Sequence, residues 1–156
     1  SDVWRAGNYV KAGTLVFEIN PVDFELKADQ LAKQLRQAEI SLHQIDVESE
    51  NYRALIDLAI EDSQLQAGEV SRLRTLVADR ASSASELDSA RRTELAARNS
   101  LEKLKNEARL LVTRRAGQES AIEVATSQLE QAELDLKRTK IISPIDGVIV
   151  SEQQIV

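Results

Sequence analysis

The fold of this chain is decided by a heptad pattern that is clearest in residues 31–52, LAKQLRQAEISLHQIDVESENY. Apolar or small residues recur there at alternating spacings of three and four, which places them on one side of an α-helix. The same spacing continues in both directions, and the positions are Phe24, Ala28, Leu31, Leu35, Ala38, Leu42, Ile45, Ser49, Tyr52, Ile56, Ala59, Ser63, Gln66, Val70, Leu73 and Val77. A run this long and regular predicts one strand of a coiled coil, about 85 Å long at 1.5 Å per residue.

The pattern breaks at residues 79–85, DRASSAS, and then restarts. Ser83 and Glu86 have the spacing of a capping box, in which the serine caps a new helix and the glutamate reaches back to it. The second heptad run is Leu87, Ala90, Glu94, Ala97, Leu101, Leu104, Ala108, Leu111, Arg115, Gln118, Ile122, Ala125, Leu129, Ala132 and Leu136. So short a connection forces the helices to be antiparallel neighbours, which predicts a helical hairpin with Asp79, Ser83 and Glu86 as its turn and capping residues.

We call the heptad positions of the two runs the seam. A few of these positions are polar. Folding the hairpin by pairing Val77 with Leu87 places Ser49 opposite Arg115. The small serine leaves room for the arginine stem to pack while its guanidinium reaches solvent. Glu94 lies too far along the helix to pair with Arg115, so both are interpreted as positions that set the register.

Both ends of the chain have the composition of β-strands. Residues 9–19, YVKAGTLVFEI, are rich in β-branched and aromatic types around a turn at Gly13, and residues 139–150, TKIISPIDGVIV, surround turn residues Pro144, Asp146 and Gly147. Because an antiparallel hairpin brings its two ends together, we expect these segments to lie side by side in one small β domain. Its core is expected to hold the aromatic residues Trp4, Tyr9, Phe17 and Phe24.

The join between the first β segment and the first helix has a clear signal. Asn20 can cap the helix, and Pro21 suits the first helical position. We therefore expect the first helix to begin at Pro21.

Composition excludes several classes of function. Of the 156 residues 42% are hydrophobic but only 3% aromatic, which is typical of long amphipathic helices and not of a compact globular core. A net charge of −6 argues against nucleic acid as a partner. Without cysteine and with His43 as the only histidine, a metal site is not expected. No nucleophile–base set, phosphate loop or paired acids in a cleft is found, so we predict no enzyme and no cofactor.

The two end segments resemble the two lipoyl-like halves of the periplasmic adaptors, the HlyD-like membrane fusion proteins of bacterial tripartite efflux pumps and type I secretion systems. Residues 7–20, GNYVKAGTLVFEIN, fit the first half, and residues 136–149, LKRTKIISPIDGVI, fit the second. Ser143 and Ile145 depart slightly from the pattern around Pro144, where the family usually has alanine and an aromatic residue. The resemblance covers the whole chain.

A third motif lies at the predicted turn. Adaptors that dock onto a TolC-type channel carry arginine, then leucine four residues later, then serine seven after that, and Arg72, Leu76 and Ser83 are similar to this pattern. The resemblance implies that these three residues contact the channel. Helix capping alone also explains Ser83.

The predicted fold is mainly α, a long antiparallel coiled-coil hairpin inserted between two halves of a small lipoyl-like β domain. The expected boundaries are 1–20 for the first β half, 21–138 for the hairpin (helix 21–79, tip 80–84, helix 85–138) and 139–156 for the second β half.

The resemblance implies a periplasmic protein, anchored to the inner membrane in its full-length form, that links an inner-membrane transporter of the ABC, MFS or RND class to a TolC-type channel. It implies self-association into a ring, and further domains outside this sequence. Two alternatives stay open. One is a biotin or lipoate carrier, which would be modified on Lys11 or Lys140, and the other is a plain coiled-coil tether.

Overall fold

A computed structural model describes residues 7–150. The elements in chain order are β1 (Tyr9–Val10), β2 (Leu15–Glu18), α1 (Val22–Ala78), α2 (Ala84–Arg138), β3 (Lys140–Ile142) and β4 (Gly147–Val148). The fold is mainly α, as predicted, with 57 residues in α1 and 55 in α2. The chain forms two compact units, Ser1–Gln37 with Ile122–Val156, and Ala38–Ala121.

The seam predicted from the heptads matches the burial of the two helices. Every seam position of α1 from Phe24 to Val77 is buried or half-buried, including its polar members. Every seam position of α2 from Leu87 to Leu136 is also buried or half-buried, with Arg115 as the exception. Because burial follows the 3–4 spacing so closely, the helices form a coiled-coil hairpin.

In the unit Ala38–Ala121, side chains of the two helices bond across the hairpin. Arg115 leaves the seam, and its Nε donates a hydrogen bond of 2.8 Å to Oδ1 of Asp46, while Nη1 bonds Glu119. The Gln118 amide donates to the carbonyl oxygen of Ala38 at 3.0 Å. Ser49, the predicted neighbour of Arg115, lines the same depression between the helices. The arginine stem therefore lies at the seam, and its charged group is neutralised at the edge.

In the other unit, the two β segments pair with each other. β1 pairs with β4 and β2 pairs with β3, both antiparallel, so each strand that precedes the hairpin bonds to one that follows it. The backbone bonds from Gly7 to Ile149 and from Ile19 to Thr139 continue this pairing beyond the strands. The predicted side-by-side arrangement is confirmed.

The prediction of an aromatic core for this β structure is wrong. Tyr9 and Phe17 are each 59% exposed, and Phe24 is half-buried in the helix seam. Trp4 lies outside the described residues. The buried side chains among the strands and their joins are Val10 and Thr139, since a two-stranded sheet can cover only a small area.

Within residues 7–150, neither long helix has an apolar stretch sufficient to cross a lipid bilayer.

Candidate functional site

The candidate site is the turn between α1 and α2, where α1 ends in a Schellman motif. The Ala81 N–H donates to the Leu76 carbonyl at 2.8 Å, and the Arg80 N–H donates to the Val77 carbonyl at 3.1 Å. These are the two bonds that define the motif, which needs a left-handed residue at the position of Arg80. Arg80 has φ of 58°, and it is the only non-glycine residue among 7–150 with positive φ.

The start of α2 is held by reciprocal capping bonds. The Ser83 hydroxyl accepts a hydrogen bond from the Glu86 N–H at 3.2 Å, and the Glu86 carboxylate accepts one from the Ser83 N–H at 3.0 Å. The Ser82 hydroxyl donates to the same carboxylate. The hydroxyl of Ser82, followed by the N–H and hydroxyl of Ser83, holds the pKa of Glu86 below its usual value. The carboxylate is therefore the ionised form that the cap requires.

Arg72 is held on the surface of α1 by a neighbouring glutamate. Its Nε donates to Oε2 of Glu69 at 2.8 Å and its Nη2 to Oε1 at 2.5 Å, a two-bond pairing one helical turn apart. These hydrogen bonds lower the pKa of Glu69 and raise that of Arg72. The Arg72 side chain remains 60% exposed, so its remaining N–H groups are available to a partner.

Leu76 lies one turn further along α1 and is half-buried. Its carbonyl oxygen takes part in the Schellman motif, so its backbone is fixed. Arg72 and Leu76 thus lie on the last two turns of α1, and Ser83 caps α2. Their hydrogen bonds go to Glu69, Ala81 and Glu86, respectively. Asp79, the remaining predicted turn residue, is exposed and bonds through its N–H to the carbonyl of Thr75.

The residues predicted at the lipoyl-like turns come together in the β structure. Gly13, with φ of 82°, occupies the left-handed position of a turn that the Thr14 N–H closes on the Lys11 carbonyl at 3.1 Å. The Gly13 N–H donates to the carbonyl of Ser143 at 2.8 Å. This bond joins the glycine turn directly to the segment that contains the second predicted turn.

The second turn reaches back to the first through a side chain. The Ala12 N–H donates to Oδ1 of Asp146 at 2.7 Å, and Gly147 pairs with Val10 in the β1–β4 ladder. Pro144 lies between Ser143 and this aspartate and is exposed. The two turns, far apart in sequence, therefore form one hydrogen-bonded cluster.

Two residues were not predicted from the sequence, one at the hairpin turn and one on α1 before it. The pairing of Glu69 with Arg72 could have been predicted, because an acid three residues before an arginine on a helix is placed to pair with it. Arg80 carried none, since the left-handed position after a helix is usually occupied by glycine and here it is not.

Comparison of the chain with protein-family models and with curated proteins finds no match. The solved structures that match it include two that do so over most of its length. The periplasmic adaptor protein EmrA is 16% identical, with a TM-score of 0.40, over 94% of this chain and 60% of its own. MacA from Actinobacillus actinomycetemcomitans is 25% identical, with a TM-score of 0.33, over 92% of this chain and 36% of its own. This chain therefore spans less than two thirds of the length of either.

Proposed function

We propose that this chain is the hairpin-bearing part of a periplasmic adaptor, or membrane fusion protein. In this role it links an inner-membrane transporter of the ABC, MFS or RND class to a TolC-type outer-membrane channel, for efflux or secretion. The proposal places the protein in the periplasm, anchored to the inner membrane in its full-length form, and gives it no catalytic activity.

One observation carries this proposal, the pairing of the first β segment with the last across the whole helical hairpin. The hairpin is thereby an insertion into a single β unit, the organisation that the sequence motifs of the adaptor family imply. A plain coiled-coil tether has no need of strands at both ends that complete one another. The pairing therefore favours the adaptor over the tether.

The turn is the proposed docking surface for the channel. Arg72 offers a partly exposed guanidinium, which can donate to backbone carbonyls at the end of another helical hairpin. Leu76 offers a half-buried apolar contact beside it. Ser83 contributes chiefly by capping α2, since its hydroxyl already accepts the Glu86 N–H. In this proposal the hairpins of several subunits also stand side by side in a ring.

The proposal is tested by retention of the channel on the tagged full-length protein from solubilised cell envelopes. Leu76→Asp and Arg72→Glu are expected to reduce the amount of channel retained by tenfold or more, because a buried unpaired charge is costly in an interface. Leu26→Asp and Arg36→Glu are matched controls on exposed parts of α1, and they should retain the channel. Equal retention by the turn variants and the controls would contradict the docking surface.

The carrier alternative is tested on the same purified protein. Lys11 begins the Gly13 turn and Lys140 begins β3, and both are exposed. Intact-mass and peptide mass spectrometry should find both lysines unmodified. A biotinyl or lipoyl adduct on either lysine would replace the adaptor proposal with the carrier.

A further inference from the structure

A second row of apolar side chains runs along α1 outside the seam, in the unit Ala38–Ala121. Leu55, Leu58 and Leu65 are 47%, 63% and 72% exposed. With Asp62 and Glu69 they follow the same alternating three–four spacing as the seam itself. We call these five residues the α1 stripe. A heptad row of this kind predicts a helix that packs against partners on two sides.

A matching row on α2 carries the opposite charge. Its members, which we call the α2 stripe, are Arg91, Leu95, Arg98, Glu102 and Lys105, again at three–four spacing. Leu95 is 59% exposed. The α2 stripe holds three basic residues and one acid, whereas the α1 stripe holds two acids and no base. The two rows are therefore complementary in charge, and each carries exposed leucine.

The depression between the helices locates the two stripes. Asp46 and Arg53 of α1 and Val112 of α2 all line it, so these three residues lie on the same side of the hairpin. Val112 lies seven residues from Lys105 and belongs to the same heptad row, so the basic row of α2 is on this side. Leu55 and Asp62 belong to the row on the other side of the α1 seam. The α1 and α2 stripes thus lie on opposite sides of this part of the hairpin.

Four charged residues of the two stripes are held by weak local pairs, while Arg98 pairs with the less exposed Glu94 of the seam. Glu69 pairs with Arg72, Lys105 with Glu102, and Arg91 with Asp88, all within one helix and with exposed side chains. Such surface pairs contribute little, because water screens both partners. They can therefore exchange for contacts with another molecule.

We infer that the α1 stripe of one hairpin packs against the α2 stripe of a second copy of this chain. The inference rests on the self-association included in the proposed function and names the surfaces that make it. Because the two stripes are different and lie on opposite sides, the contact is head-to-tail, and each copy retains a free stripe for the next. Two α1 stripes facing each other would instead bring Asp62 and Glu69 against their own copies.

Cysteine crosslinking tests the inference on the whole chain, which has no cysteine of its own. A chain with Leu65→Cys is mixed with a tagged chain carrying Glu102→Cys, and a short bismaleimide is added at low ionic strength. We expect a mixed adduct in several-fold excess over the adduct of either chain with itself. Asp57→Cys replaces Leu65→Cys in the control, since Asp57 lies one turn from Arg53 on the other side of α1, and it should give little adduct.

Charge exchange makes the same test sharper. Asp62→Lys in the first chain, or Lys105→Glu in the second, should lower the mixed adduct several-fold, and the two together should restore it. Raising the salt concentration should lower the adduct of the unaltered stripes, because exposed charges are screened. The inference would be overturned if the amount of mixed adduct were no greater than in the Asp57→Cys control. It would also be overturned if the Leu65→Cys chain formed more adduct with itself than with the Glu102→Cys chain.

The outcome is separable from that of channel docking. If the mixed adduct is absent and the protein still retains the channel through Leu76, the contact between stripes is overturned and the adaptor role stands. A mixed adduct in a protein that retains no channel supports the stripes and contradicts the docking surface.

Discussion

Arg80 determines how α1 ends, because the Schellman motif needs a left-handed residue at its position. The motif is complete, with both of its backbone bonds made, yet the residue carries a Cβ. A side chain in this conformation costs about 1–2 kcal/mol relative to the right-handed one. The hairpin turn therefore contains backbone strain that a glycine would relieve.

Arg80→Gly is expected to raise the free energy of unfolding by about 1 kcal/mol, since glycine adopts positive φ without a steric penalty. Urea unfolding followed by circular dichroism measures the change. Arg80→Ala is the control, because alanine loses the arginine side chain but keeps the Cβ, and it should give no such gain. Equal stability of the glycine and alanine variants would show that the strain is absent.

Glu86 makes the cap of α2 sensitive to pH. Its pKa is lowered in the folded state, so its carboxylate stabilises the fold above the pKa of an unfolded glutamate, about 4.3. This contribution is lost as pH falls through the lower, folded pKa. Glu86→Gln should therefore melt at a lower temperature than the parent at pH 7, and the difference should shrink as the pH is lowered below about 4.

The control for this prediction is Ser82→Ala, since the Ser82 hydroxyl is the largest cause of the lowered pKa. In a protein that already carries Ser82→Ala, the change in melting temperature caused by Glu86→Gln should depend less on pH. A difference in melting temperature between the parent and the Glu86→Gln variant that is the same above and below the pKa of Glu86 would contradict the role of the charge.

At the scale of the elements, the seam explains why two helices of more than fifty residues are stable with so few aromatic residues. Its polar members are accommodated in different ways. Arg115 turns outward to Asp46 and Glu119, whereas Glu94 stays within the seam, with its side chain 16% exposed and Arg98 at 2.5 Å. The Arg98 side chain is 62% exposed, so the glutamate is the member of this pair that is largely removed from water. Removing a charge from water costs free energy that an exposed partner offsets only in part.

Glu94→Leu is accordingly expected to raise the free energy of unfolding by about 1 kcal/mol, because it extends the apolar seam. Glu102→Leu is the matched control, since the Glu102 side chain is 58% exposed and pairs with Lys105 outside the seam, and it should bring no gain. Denaturant unfolding at neutral pH distinguishes them. A loss of stability in Glu94→Leu would mean that the Glu94–Arg98 pair contributes more than apolar packing does.

The helical elements were predictable from sequence because a heptad row is a local signal repeated many times. The pairing of the β segments also followed, since an antiparallel hairpin returns the chain to its start. The aromatic core did not follow, because the exposure of Tyr9 and Phe17 depends on how few strands cover them, which no local pattern records. Arg80 was unpredictable for a similar reason, as its conformation is imposed by the turn and not preferred by its residue type.

On the scale of the whole molecule, the chain assigns its residues to two tasks. Most of them form the two helices of the hairpin, and a small set of strands pairs the segments that precede and follow it. The surface left over is divided between the turn, where Arg72 and Leu76 lie, and the two stripes of opposite charge. The two proposals assign contacts with a channel and contacts with neighbouring copies to different residues.

Docking of the turn on an outer-membrane channel is tested most directly by site-specific photocrosslinking in living cells. A photoreactive amino acid replaces Leu76 in the full-length protein, or Leu26 as a control at an exposed position of α1. Adducts formed on irradiation are identified by mass spectrometry. We expect an adduct with a TolC-type channel from position 76 and none from position 26. Capture of a soluble protein from position 76, or no channel adduct at equal expression, would contradict it.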